Sequence, residues 1–165
     1  MLDDLLAPNL GLVICGTAAG RRSAMVGEYY AGHGNKFWRI LHETGLTSER
    51  LDSKQYKRLL DFRIGLTDIV KKQSGMDDEI DFRGATPEGL REKTERLRPQ
   101  VLCFNGKRAA KIFYGRNNIE FGLQPGRIGI TAVFVAPSTS GAANKTWDSN
   151  FWRELANLVN SQLTV

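Results

Sequence analysis

The sequence is poor in the residues that anchor metal or disulfide chemistry: 165 positions hold two cysteines and two histidines. Cys15 and Cys103 sit inside apolar runs without Cys-x-x-Cys spacing, and His33 and His42 supply no zinc-binding pattern. Two thiols in such runs read as small core residues, which suits a reducing compartment. Long apolar runs are also missing. Nothing approaches the roughly 20 residues that span a bilayer, and Met1-Leu2-Asp3-Asp4 lacks the basic start of a signal peptide. A soluble, cytoplasmic protein without membrane contact is expected. The segment 16–20 has neither Gly-x-Gly-x-x-Gly spacing nor a Gly-Lys-Ser/Thr ending, so a nucleotide-binding domain is a weak rival reading. There is no internal repeat or low-complexity tract, and the acidic stretch Asp77-Asp78-Glu79-Ile80-Asp81 reads as a solvated loop.

With 41% hydrophobic residues, the chain can build one core, and residues 1–165 are read as a single domain. The net charge of +5 favours a polyanionic partner, with nucleic acid as the leading candidate. Uninterrupted apolar runs predict strands over Leu10 to Cys15, Phe62 to Ile69, Val101 to Asn105 and Ile130 to Ala136. Helical patterns lie between them. Asn35 is a candidate cap for Phe37, Trp38 and Leu41, with Gly45 as the stop; Ser53 is the expected cap for Tyr56, Leu59 and Leu60. Thr86-Pro87 opens another helix, Lys107 to Tyr114 forms a fourth, and Asp148 caps a last one whose apolar face includes Trp152. The alternation predicts an α/β fold of three layers, α/β/α, around a mainly parallel sheet of four to five strands. Two runs end in small residues, Gly16-Thr17-Ala18-Ala19-Gly20 and Ala136-Pro137-Ser138-Thr139-Ser140-Gly141. Both loops should share the carboxyl edge of the sheet, where open α/β folds bind ligands.

These loops carry a resemblance. Leu6-Ala7-Pro8, Val13-Ile14-Cys15-Gly16, Ser23-Ala24, the run from Ala31 to Trp38, Leu60 to Thr67, and Pro137 to Gly141 follow in order and with similar spacing. Together they resemble the mismatch-specific uracil-DNA glycosylases, in the thymine-DNA glycosylase branch of the uracil-DNA glycosylase superfamily. The resemblance implies a parallel sheet between helices, DNA containing uracil or a related damaged base as partner, and hydrolysis of the N-glycosidic bond after base flipping. It implies no cofactor and no metal. A monomer is expected.

The resemblance also implies roles for residues, with departures. The family's first motif usually reads Gly-Ile-Asn-Pro-Gly, and its Asn positions water. Here Gly16, Thr17, Ala18 and Gly20 keep the backbone that can hold a base carbonyl, but Ala18 offers no amide. Asp68, at the end of a strand-like run, is the candidate that directs water and stabilises a sugar cation; its plainer reading is a loop acid. Tyr30 matches the aromatic that stacks on the base, with Tyr29 adjacent. Ser23 would sit near the pyrimidine ring edge or simply start a helix. Asn35 would read a base edge, cap a helix, or do both. The second loop, Ser138, Thr139, Ser140, Gly141, Ala142 and Ala143, would bind DNA, although its two alanines replace a bulky wedge. Arg21, Arg22, Lys71, Lys72, Lys107, Arg108 and Lys145 are candidates for the phosphate path. A non-catalytic binder of damaged DNA is the rival reading.

Overall fold

The computed structural model describes residues 2–70 and 86–163; Lys71, Lys72 and the acidic stretch 77–81 lie outside the described residues. In chain order the elements are β1 (Leu12–Gly16), α1 (Arg21–Val26), α2 (Phe37–Glu43), a 3-10 helix (Ser53–Phe62) and β2 (Ile64–Asp68). Then come α3 (Pro87–Leu97), β3 (Val101–Asn105), α4 (Lys107–Tyr114), β4 (Gly122–Ile128), β5 (Thr131–Ala136), a second 3-10 helix (Gly141–Thr146) and α5 (Ser149–Leu163). The strands form one sheet in the order β2-β1-β3-β5-β4, parallel except for β4, which runs antiparallel to β5.

The apolar runs form strands because both faces of the sheet are covered. Side chains alternate between two cores: Leu12 and Ile14 of β1 join Phe37, Leu41 and Trp152 on one side. Val13 and Cys15 join Leu90, Ala110 and Phe113 on the other. Residues two apart on a strand share a face, so each run feeds both cores at once. This is the three-layer α/β/α arrangement that the alternating pattern implied. Cys15 and Cys103 are fully buried and take part in no disulfide, and burial pushes the Cys103 thiol up from its usual range. Among the described residues no helix is long and apolar enough to cross a membrane.

Two local expectations need correction. The cap of the segment over Tyr56 and Leu59 is Asp52 and not Ser53: the Asp52 carboxylate accepts the Lys54 N–H at 3.0 Å, while the Gln55 side chain accepts the Asp52 N–H at 3.1 Å. Two donors are satisfied reciprocally, as in a capping box. That segment is also a 3-10 helix of ten residues rather than an α-helix. The fifth strand, β4, had no apolar signature because Gly122, Pro125 and Gly126 interrupt it. It tolerates them as an edge strand with a register shift between Leu123 and Arg127.

The opposite edge is covered by the N-terminal segment. Leu5 and Leu66 exchange backbone hydrogen bonds at 2.8 and 2.9 Å, and Asp4 receives the Thr67 hydroxyl and the Lys93 ammonium, each at 2.7 Å. Pairing this flank of β2 fixes the strand that ends in Asp68.

Candidate active site

The parallel register places Gly16 directly beside Asp68, at the carboxyl ends of the neighbouring strands β1 and β2. Hydrogen bonds continue past the strands: Ile69 N–H donates to the Gly16 carbonyl at 3.0 Å and Val70 N–H to that of Thr17 at 2.8 Å. The two exits therefore leave the sheet as a rigid pair. A Cβ on Gly16 would lie 2.8 Å from Asp68 Oδ1 and 3.4 Å from the Tyr30 hydroxyl. Only glycine leaves room for a carboxylate and a phenol to converge there.

Tyr30 is held with some strain. Its φ of 53° is left-handed, which costs a bulky residue roughly 1–3 kcal/mol. Flanking bonds fix it: Trp38 Nε1–H donates to the Tyr30 carbonyl at 3.2 Å, and Ala31 N–H donates to the Ser23 hydroxyl at 2.9 Å. Ser23 thus ties α1 to the tyrosine segment. One face of the Tyr30 ring stacks on Phe37, with centroids 3.8 Å apart and planes 15° apart. Its hydroxyl is buried without a hydrogen-bond partner among the described residues, although the Asn105 amide lies near enough to favour its ionised form. Tyr29 is 2% exposed, and its hydroxyl donates to the Asp3 carbonyl at 3.0 Å, so it belongs to the core.

Burial, then the Asp68 charge, raises the pKa of Tyr30 well above 10.0, and the same two causes raise Tyr29. Both phenols stay neutral in the folded chain where the unfolded chain would ionise. Above pH about 10 the folded state therefore holds more protons, and stability falls as pH rises through that value toward the folded pKa values. Tyrosinate absorbance should show Tyr29 and Tyr30 ionising only as tertiary circular dichroism is lost. Ionisation of all four tyrosines in a still-folded chain would contradict this assignment.

The second loop leaves β5 next to β3, and Asn105 stands at that edge, paired in register with Ala136. Asn105 is a residue that sequence reasoning missed. The available signal was its position: a polar residue closing a buried apolar run before Gly106, as Asp68 closes β2. It is 7% exposed. Its Nδ2 donates to the Thr139 hydroxyl at 3.0 Å, and its Oδ1 accepts the Thr139 N–H at 3.0 Å. Thr139 stands differently in its loop from the two serines. It is 1% exposed, its hydroxyl faces Asn105, and its carbonyl accepts the Lys36 N–H at 2.8 Å. Ser138 and Ser140 remain more open, with their oxygens accepting N–H bonds from Ser140 and Ala142 at 3.2 Å each. Gly141 packs on the backbone of Gly34, where an added Cβ would lie 3.3 Å from the Gly34 carbonyl. The loop start is fixed from below by Trp152 Nε1, which donates to the Pro137 carbonyl at 2.9 Å and makes Trp152 core, as expected.

The two loops thus face each other across a cleft of ≈ 940 Å³ lined by Gly16, Thr17, Ala18, Gly20, Ser23, Tyr30, Asn35, Asp68, Asn105 and the segment 138–143. That volume suits a nucleotide and part of its strand. The N-cap position of α2 is Lys36 and not Asn35; Asn35, two residues before the helix start, still accepts the Phe37 N–H through Oδ1 at 3.0 Å and lines the cleft. Arg21, Arg22, Lys107 and Arg108 line the same opening; Lys145 stands exposed on the second 3-10 helix. Lys107 Nζ also lies 4.4 Å from the centre of the Phe121 ring, and Lys36 is held by Asn144 and the face of Trp147. Among the described residues no cluster of three or more His, Cys, Asp or Glu is placed to hold a metal ion.

Comparison with known proteins agrees with this architecture. The solution NMR structure of a "putative Uracil DNA glycosylase" from Methanosarcina acetivorans aligns over 98% of this chain and 96% of its own, with a TM-score of 0.66 and 21% identity. At that identity the likeness concerns the fold. The sequence pattern of the Uracil DNA glycosylase superfamily matches residues 4–156, which takes in both loops, Tyr30, Asp68 and Asn105. The chain belongs to the Uracil DNA glycosylase superfamily.

Proposed function

We propose that this chain is a monofunctional uracil-DNA glycosylase of the mismatch-specific branch, acting as a monomer on DNA that contains uracil or a related damaged base. The observation that carries the reading is the convergence of Asp68 Oδ1 and the Tyr30 hydroxyl on Gly16, inside the cleft that both loops line. The flipped base lies against the Tyr30 ring, which lines the cleft and is backed by Phe37, and N–H groups of residues 16–20 hold its carbonyl. As the C1′–N1 bond lengthens, positive charge grows on the sugar and negative charge on the base. Asp68 stabilises the first and takes a proton from the water that bonds to C1′; the base leaves as an anion and is then protonated. The product is an abasic site. No lysine lies within either loop, and Lys36 is engaged by Asn144 and Trp147, so the reaction is assigned to water and not to an amine that would cut the strand.

DNA is gripped by the hydroxyls of Ser138 and Ser140 and by Arg21, Arg22, Lys107 and Arg108, so affinity should fall as salt rises. Ala142 and Ala143 cannot fill the gap left by a flipped nucleotide. Oligonucleotides with uracil opposite guanine, opposite adenine and in single strands should therefore all yield abasic sites, with the single strand no worse than the duplexes. Tight binding without base release from any of them would replace this reading with that of a damage binder, the role that Ala18 in place of an amide would suit.

A further inference from the structure

We propose that Asn105 is a positioning residue that joins the grip on DNA to the base end of the cleft. The inference rests on the glycosylase reading and assigns a task to a side chain outside both loops. Asn105 has one carboxamide with three hydrogen-bonding positions in view. Oδ1 accepts the Thr139 N–H and one Nδ2 hydrogen is donated to the Thr139 hydroxyl, so the loop uses two of the three positions. The Tyr30 hydroxyl, buried in the same cleft, lies near enough for the Asn105 amide to favour its ionised form. That hydroxyl in turn shares the space over Gly16 with Asp68.

Thr139 extends the connection outward. Its carbonyl takes the Lys36 N–H, and the next residues run into Ser140, Gly141 and the close approach to Gly34. One buried amide therefore sits between the DNA-facing loop and the two groups over the reacting centre. Because Asn105 is anchored at the end of a central strand, it transmits position rather than moving freely. A loop pressed down by a phosphate would set the amide, and the amide would set the Tyr30 hydroxyl beside the base.

Three variants separate the two halves of this task. Asn105→Ala removes both bonds to Thr139 and the contact with Tyr30. It should raise amide hydrogen exchange across residues 138–143 while sparing β3 and β5. It should also weaken binding to uracil-containing duplex by about tenfold, the size of one net hydrogen bond, and slow single-turnover release besides. Asn105→Asp keeps acceptors for the Thr139 N–H and hydroxyl, so exchange in the loop should match the wild type. It adds a negative charge to the cleft that Asp68 also lines, where like charge disfavours ionisation, and the acid limb of the release rate should move to higher pH. Thr139→Val retains the N–H bond alone and gives a milder loop defect should Asn105→Ala fold poorly. Wild-type exchange and affinity in Asn105→Ala and Thr139→Val would overturn the clamp. An unmoved pH limb in Asn105→Asp would overturn the link to the base end. A wild-type chain that releases no base would instead sink the glycosylase reading, and the exchange data would still decide the clamp.

Discussion

Asp68→Asn is expected to slow single-turnover uracil release by about 10²–10⁴-fold, the range for loss of a positioned general base, while leaving DNA affinity near wild type. The substitution is nearly isosteric, so the pairing of Gly16 with residue 68 and the hydrogen bond from Ile69 to Gly16 should persist. What it removes is the charge. Asp68 is 7% exposed, and a buried carboxylate acts on a sugar cation more strongly than a solvated one. An independent readout comes from the phenols: the Asp68 charge raises the pKa of both Tyr29 and Tyr30, so the asparagine variant should ionise them at lower pH than the wild type does. A variant with lowered phenol pKa values and an unchanged release rate would show that Asp68 stands beside the phenols but does not direct the water.

The legible parts of this fold are those whose cause is local. β1, β3 and β5 are buried on both faces, so their sequences are continuous apolar runs, and their ends lie within one or two residues of the expected ones. Asp68 and Gly16 were legible for the same reason: each closes such a run, and parallel strands bring their ends to one edge. Asn105 was hidden because its purpose depends on Thr139, which is distant in the chain and adjacent only after β5 has paired with β3. The left-handed Tyr30 was equally hidden. Nothing in Tyr29-Tyr30-Ala31 announces a positive φ; the conformation is imposed by bonds from Trp38 and to Ser23 that exist only in the folded chain. β4 failed in the other direction, since a strand containing Pro125 between two glycines is admissible only at an edge, and edge position is a property of the whole sheet.

The second large effect is expected at a residue with no side chain. In Gly16→Ala the new methyl would fall 2.8 Å from Asp68 Oδ1, closer than carbon and oxygen tolerate, and 3.4 Å from the Tyr30 hydroxyl. Backbone adjustment is blocked: β1 is flanked by β2 and β3, and the Gly16 carbonyl is already bonded to Ile69 N–H. Asp68 is short, and its Cα is fixed by the same pairing, so the carboxylate itself must turn away from the position where it would meet water and sugar. A displacement of about 1 Å at a reacting group can cost about 10²-fold in rate, and overpacking of this kind costs roughly 1–3 kcal/mol in stability. Single-turnover release and urea unfolding measured on the same preparation give both numbers. Gly20→Ala, at the other end of the loop, meets nothing within 4 Å and provides the comparison. If the two variants lose rate equally, the defect belongs to the loop as a whole. If Gly16→Ala alone collapses, the rate depends on where one oxygen of Asp68 stands.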